Sequence, residues 1–409
     1  MKGIYPIKYF KTPLCDKPIE EIWDDIDAYT GEFFEDEPQH YNKIELFVPL
    51  PPLNHKGKFT KGIMFTQSLD FLLKLYPNLK DLFFCGAYSM WSSYPWCDKA
   101  DFYLSCYENK KREEYHKNKY QNKKDIIFIP LQDADFTNEQ RLKPIENIKK
   151  EIDVLSVASP YPVKNLPVIA FALKIYKLKY KKRLKTTMVL GKNDYILENG
   201  VLDTSNIDKN ELREFNRMHE ILDGDFYRYI DIVPKAGQYE LCEYYNKSKC
   251  LVLASLIEGK NRAYHEAMAC NTPAILFKDH NKWARGEHPL FYGNSGEIVE
   301  LFNPESLADK IHEVINNPQN YSPRENFLKH HGRKTALNTF SNYLPYFKEN
   351  IPNYQENIYE NKWINEAIEE NYGFSFEDIL YENKTQIGHT RSLEKIKKTL
   401  DFYFNKFKN

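Results

Sequence analysis

A chain of 409 residues with a formal net charge of -1 has room for two sizeable cores and carries no overall electrostatic signature of a nucleic-acid binder. No stretch reaches the roughly 20 apolar residues that span a bilayer, and residues 1–10 lack an apolar signal core, so the expected location is cytoplasmic. The seven cysteines are dispersed without the paired spacing of a zinc site. Those inside apolar runs, Cys85, Cys250 and Cys270, are expected as reduced core residues, and no metal is expected.

In chain order, residues 43–50 (KIELFVPL) read as a strand and 51–62 as a loop rich in Pro and Gly. Residues 63–76 carry helical spacing, and 81–87 (DLFFCGA) read as a strand again. Strand, helix, strand implies parallel pairing with helices covering the sheet. Residues 101–106 and 125–130 predict further strands around a charged helix at 108–120, and the polar stretch 132–150 reads as a linker. In the second half, strands at 154–158, 186–190, 228–233, 250–254 and 274–277 alternate with helices at 166–178, 239–248 and 262–270. The expected product is a doubly wound open α/β sheet, whose ligands bind beyond the carboxyl ends of the strands. Beyond 345 the composition predicts a helical tail, with a helix at 392–407.

The most informative stretch is CLVLASLIEGKNRAYHEAMACNTPAIL, residues 250–276. A buried strand runs into a loop carrying Glu258, then a helix start, then Glu266 eight positions on. On a helix that spacing is a little over two turns, so the two carboxylates can address one ligand at two depths. The backbone amides of Gly259, Lys260, Asn261 and Arg262 lie between them at a helix N-terminus, which favours an anion.

These residues resemble the retaining nucleotide-sugar glycosyltransferases of family 4, whose hallmark is two glutamates separated by seven residues ahead of a small-residue helix. Three further segments match in order: VLSVASPYPVKN at 154–165, MVLGKND at 188–194 and GEIVELFNPESLADKI at 296–311. The resemblance implies the GT-B architecture, two Rossmann-like domains facing across a cleft. It suggests an acceptor domain at 1–145, shortened, a donor domain at 151–345, and a helical tail at 346–409 packing back on the domains. It implies transfer of sugar from a UDP- or GDP-sugar to a glycan or lipid-linked acceptor with retention of configuration, in surface polysaccharide synthesis, without a metal or a permanently bound cofactor.

Position by position, the resemblance implies that Glu266 binds the donor ribose, that Glu258 lies beside the transferred sugar, and that Lys164 offsets diphosphate charge as the leaving group departs. Ser159 and Gly191, at the ends of the first two donor-domain strands, join the donor-binding set. Ser159 also marks a departure, because the family carries an arginine five residues before the lysine. Arg262 is the expected replacement, since a guanidinium binds phosphate in a bidentate way. The N-terminal half matches only faintly, through 99–115 and 126–136. His55 in the Gly-containing loop, and Tyr88 and Trp91 in YSMWSSYPW, are acceptor-side candidates.

Each assignment has a plainer alternative. The two glutamates and Lys164 could be solvated surface residues, Arg262 a helix-surface cation, and the aromatic cluster a packing feature. The Lys-rich run 174–185 could be a solvated helix end or a patch for an anionic membrane surface, where lipid-linked acceptors reside; the latter would place the chain at the inner membrane face. Two other functions also remain open: a nucleotide-sugar epimerase on the same architecture, and a non-catalytic homologue acting as a scaffold.

Overall fold

A computed structural model describes residues 46–88, 97, 99–104, 127–191, 195–255, 258, 260–278, 293–300, 303–354, 357–378, 388–390 and 393–407. Its chain divides into two compact units. One comprises Arg141–His330, and the other joins the described residues up to Gln140 with those from His331 onward.

The Arg141–His330 unit is built on a six-stranded sheet in the order Ile230–Val233, Thr186–Val189, Ile152–Val157, Ser248–Leu253, Ala274–Phe277, Gly296–Val299. Every pairing is parallel. Numbered along the chain, these strands run 3-2-1-4-5-6, the doubly wound Rossmann order. The central strands Ile152–Val157 and Ser248–Leu253 are buried at nearly every position, because helices cover both faces of a parallel sheet and leave no solvated side for alternation. The helix Leu166–Tyr180 is the clearest case. Wedged against helices Lys209–Ile221 and Pro304–Asn316, it buries every residue from Leu166 to Leu173.

The five strands expected in this unit are present, four with an end shifted by a residue or two and Ala274–Phe277 at its expected bounds. Gly296 marks a close approach between the last two strands: a Cβ there would lie 1.8 Å from the Ala274 carbonyl oxygen.

The other unit holds a second six-stranded sheet, ordered Gly388–Thr390, Leu46–Leu50, Gly62–Thr66, Phe83–Tyr88, Phe102–Leu104, Ile127–Ile129. Its first two pairings are antiparallel and the rest parallel, a mixed sheet where an all-parallel one was expected. The helix expected from 63 is corrected as well. Gly62–Thr66 is a strand buried at every position, and the helix is confined to Leu69–Leu75. A short apolar run buried on both faces fits either element, so periodicity could not separate them. The expected loop before it contains a hairpin, Leu53–His55 with Lys58–Thr60. Its two turn residues, Lys56 and Gly57, both have positive φ, as a two-residue turn matching strand twist requires.

The largest departure concerns the C-terminal part. Residues 331–345, expected with the donor domain, belong with the N-terminal sheet, as does the tail. Phe340, on the helix Arg333–Tyr343, is fully buried and has its ring 5.3 Å from Phe102 and 6.0 Å from Phe65. Tyr403, on Leu393–Lys406, meets Phe83 at 5.2 Å. These helices complete the N-terminal core. Phe340→Ala should therefore cost about 3–5 kcal/mol, and hydrogen exchange should locate the loss in the strands of residues 46–129. Loosening confined to residues 150–300 would contradict this assignment.

Candidate functional site

In the Arg141–His330 unit, connections leave the adjacent strands Ile152–Val157 and Ser248–Leu253 toward opposite edges of the sheet. The crevice beyond their carboxyl ends is the topological switch point. The chain leaving Ile152–Val157 passes Ser159 and makes a short 3-10 turn, Pro162–Lys164. It enters the next helix through Asn165 at φ 50°, a left-handed conformation that Asn tolerates better than most residues. The chain leaving Ser248–Leu253 carries Glu258. The two segments meet there: the Lys164 ammonium donates to Glu258 Oε1 in an ion pair. Glu258 is only 6% exposed, so the pair is largely desolvated, and a carboxylate in such a place needs its cation. Gly191, at φ +71°, lies at the end of the neighbouring strand. A Cβ at Gly191 would stand 3.9 Å from the Ser159 hydroxyl.

The helix Arg262–Ala269 starts at Asn261, whose side-chain oxygen accepts from the Tyr264 amide at 3.1 Å. Such a cap is worth about 1 kcal/mol and fixes where the helix begins. Glu266, one turn beyond Arg262, is buried. Its Oε2 accepts from the Tyr245 hydroxyl at 2.9 Å, and its Oε1 lies 3.8 Å from Arg262 Nε. Burial, then the Glu266 charge and its hydrogen bond, push the Tyr245 phenol well above its ordinary pKa. It stays protonated and donates. His265 is also buried, with Nδ1 at 3.0 Å from the Asn261 carbonyl oxygen. Lys260 is half-buried in the loop before the cap, and Gly259 lies outside the described residues.

Lys164, Glu258, Ser159, Gly191, Asn261, Arg262 and Glu266 thus occupy the carboxyl-end side of one sheet. Tyr245 had no sequence signal: it lies 21 positions before Glu266 on the preceding helix, amid residues that read only as an amphipathic face. The acceptor candidates fare differently. His55 is buried and held by the helix Lys362–Tyr372, its Nδ1 paired with Glu370 and its Nε2 3.3 Å from Glu366, with the Trp363 ring 5.5 Å away. The loop expected to present His55 to a ligand is instead closed against that helix. Tyr88 ends a strand, but its side chain, like Trp91, lies outside the described residues. Cys85, Cys97, Cys242, Cys250 and Cys270 are free and buried; burial pushes the Cys250 thiol up to about 12, as in a core thiol, whereas the contact with Cys270 lowers the Cys242 thiol to about 6. Among the described residues no helix is long and apolar enough to cross a membrane.

Residues 138–334 match the family model described as glycosyl transferases group 1, a span just under half the chain that encloses the whole constellation. This segment is therefore similar to the group 1 glycosyl transferases, and the chain as a whole has two α/β units. No curated protein matches the chain. Among solved structures, it is similar to a sucrose-phosphate synthase from Thermosynechococcus elongatus (15% identity, TM-score 0.47, 68% of this chain and 71% of that one). It is also similar to a glycosyltransferase from Rickettsia africae (14%, TM-score 0.46, 70% and 81%). A third is a point mutant of S. aureus TarM in complex with fondaparinux, alpha-GlcNAc-glycerol and UDP (15%, TM-score 0.45, 70% and 62%). These likenesses concern fold alone.

The ion pair makes a measurable demand. Lys164→Met leaves Glu258 buried without its cation and should cost about 3 kcal/mol. Adding Glu258→Gln should restore most of the loss in thermal unfolding. If the double variant is as unstable as the sum of the singles, the two side chains are not coupled.

Proposed function

We propose that the chain is a retaining glycosyltransferase that takes its sugar from a UDP- or GDP-sugar bound in the Arg141–His330 unit. The observation that carries this reading is the Lys164–Glu258 pair at the switch point of a 3-2-1-4-5-6 sheet, with Glu266 buried on the helix that follows. In this reading the donor ribose hydroxyls hydrogen-bond Glu266, and the diphosphate takes over Lys164 from Glu258. That exchange costs the lysine no desolvation, since it trades one anion for another. It also releases Glu258 toward the hydroxyls of the transferred sugar. As the glycosidic bond breaks, charge develops on the departing diphosphate, and a preorganised ammonium stabilises it best where water is scarce. Arg262 adds a second cation at the helix start, compensating for Ser159; to reach the phosphate it must swing away from Glu266.

The acceptor is a growing surface glycan or a lipid-linked precursor, met at the inner membrane face. The basic residues Lys181, Lys182, Arg183 and Lys185 precede the strand Thr186–Val189, so they lie at the amino-end edge of the sheet, away from the switch point. An anionic bilayer could be met there without covering the donor site. A non-catalytic scaffold is the second reading, favoured by Ser159.

A panel of UDP- and GDP-sugars separates these readings. One donor at a hundred times its dissociation constant should stabilise the protein by about 2.7 kcal/mol and be slowly hydrolysed. Arg262→Ala should cut turnover or raise the donor KM at least tenfold. Stabilisation without hydrolysis would support the scaffold, and no stabilisation by any donor would overturn the transferase reading.

A further inference from the structure

The phenol of Tyr245 touches the carboxylate of Glu266 from inside the core, and this contact belongs to no part of the reading above. We propose that Tyr245 is a positioning residue: it fixes the Glu266 carboxylate in the one orientation that recognises a ribose, and so sets the preference for ribonucleotide over deoxyribonucleotide donors. The proposal rests on the donor site described under the proposed function.

Tyr245 lies on the helix Gln238–Lys247 and is fully buried. Its ring packs in a core cluster with Leu155, Val189, Leu253 and Met268. Its backbone is tied as well, because the Thr272 hydroxyl donates to the Tyr245 carbonyl oxygen at 2.7 Å. Phenol and main chain are both anchored, so the hydroxyl is a fixed point against which a mobile side chain can be held. A glutamate has three rotatable bonds, and binding a ligand through it costs the entropy of freezing them unless the fold has already done so. The Tyr245 hydroxyl takes Oε2 at 2.9 Å, while Oε1 faces Arg262 at 3.8 Å. One oxygen of the carboxylate is thus held from the core side, and that hold remains when Arg262 turns toward the diphosphate. With the carboxylate's orientation fixed, a vicinal pair of ribose hydroxyls meets it along one direction. A site built to accept those protons rejects an analogue lacking one, since a buried acceptor is then left unpaired. If the carboxylate could rotate it would lose that discrimination, because it could turn toward whichever donor remained.

The test uses the full chain and titrates UDP and GDP against their 2′-deoxy and 3′-deoxy counterparts by calorimetry. Wild type should prefer the ribonucleotide by at least tenfold. Tyr245→Phe keeps the ring and removes the donor; it should shrink that ratio at least threefold by weakening ribonucleotide binding, with deoxynucleotide binding little changed. A merely structural role would weaken both equally. The double variant Tyr245→Phe with Glu266→Gln removes both the hydroxyl and the carboxylate it meets, and it should show the same ratio as Glu266→Gln alone. The proposal is overturned if Tyr245→Phe keeps the wild-type ratio while Glu266→Gln loses it, or if the tyrosine effect persists once Glu266→Gln is already in place. The underlying donor site fails, and this inference with it, if wild type binds neither diphosphate or if Glu266→Gln leaves the ratio intact.

Discussion

A carboxylate taken out of water must be met by a cation or a set of donors, and in this protein that requirement closes the switch point. Glu258 follows one central strand and Lys164 the next, and their pairing ties the two connecting segments together. Holding them together places a positive charge and a displaceable negative one beside the crevice that a doubly wound sheet offers to ligands. A dianionic ligand competes well for such a lysine because the desolvation has already been met by folding. The same pair that stabilises the empty site is therefore the part of it that a diphosphate can exchange.

The second carboxylate follows a different logic. Glu266 is held by a neutral donor, Tyr245, with a guanidinium at greater distance, so its direction is set without a close ion pair. The two acids are thus prepared for different work, Glu258 for exchange and Glu266 for fixed recognition. The sheet supports both. Gly191 gives up its side chain where the strand end turns past Ser159, and Gly296 does so where the outer strand approaches Ala274, which keeps the parallel ladder tight behind the site.

Much of the Arg141–His330 unit was legible in the sequence because its elements are strongly marked. Ala274–Phe277 is bounded by Thr-Pro and a lysine, and the two glutamates frame a helix start that Asn261 caps. The N-terminal unit was less legible for physical reasons. Gly62–Thr66 is buried on both faces, so its apolar run carries no period. Of the two antiparallel pairings of Leu46–Leu50, one is with a strand at Gly388–Thr390, more than 300 residues away, which no local pattern encodes. Phe340 and Tyr403 read as ordinary helix residues, and only the tertiary structure shows that they fill the N-terminal core. His55 looked available in a loop of Lys and Gly; its partners Glu366 and Glu370 come from the far end of the chain. Tyr245 was hidden likewise, since an aromatic on an amphipathic helix reads as packing until its hydroxyl is seen against Glu266.

The most direct measurement is a crystal structure of the full chain with a bound nucleoside diphosphate. The account predicts the ribose hydroxyls within hydrogen-bond distance of Glu266 and the diphosphate on Lys164, with the Lys164–Glu258 contact opened. A nucleotide seated elsewhere, or one bound with that contact still closed, would contradict it.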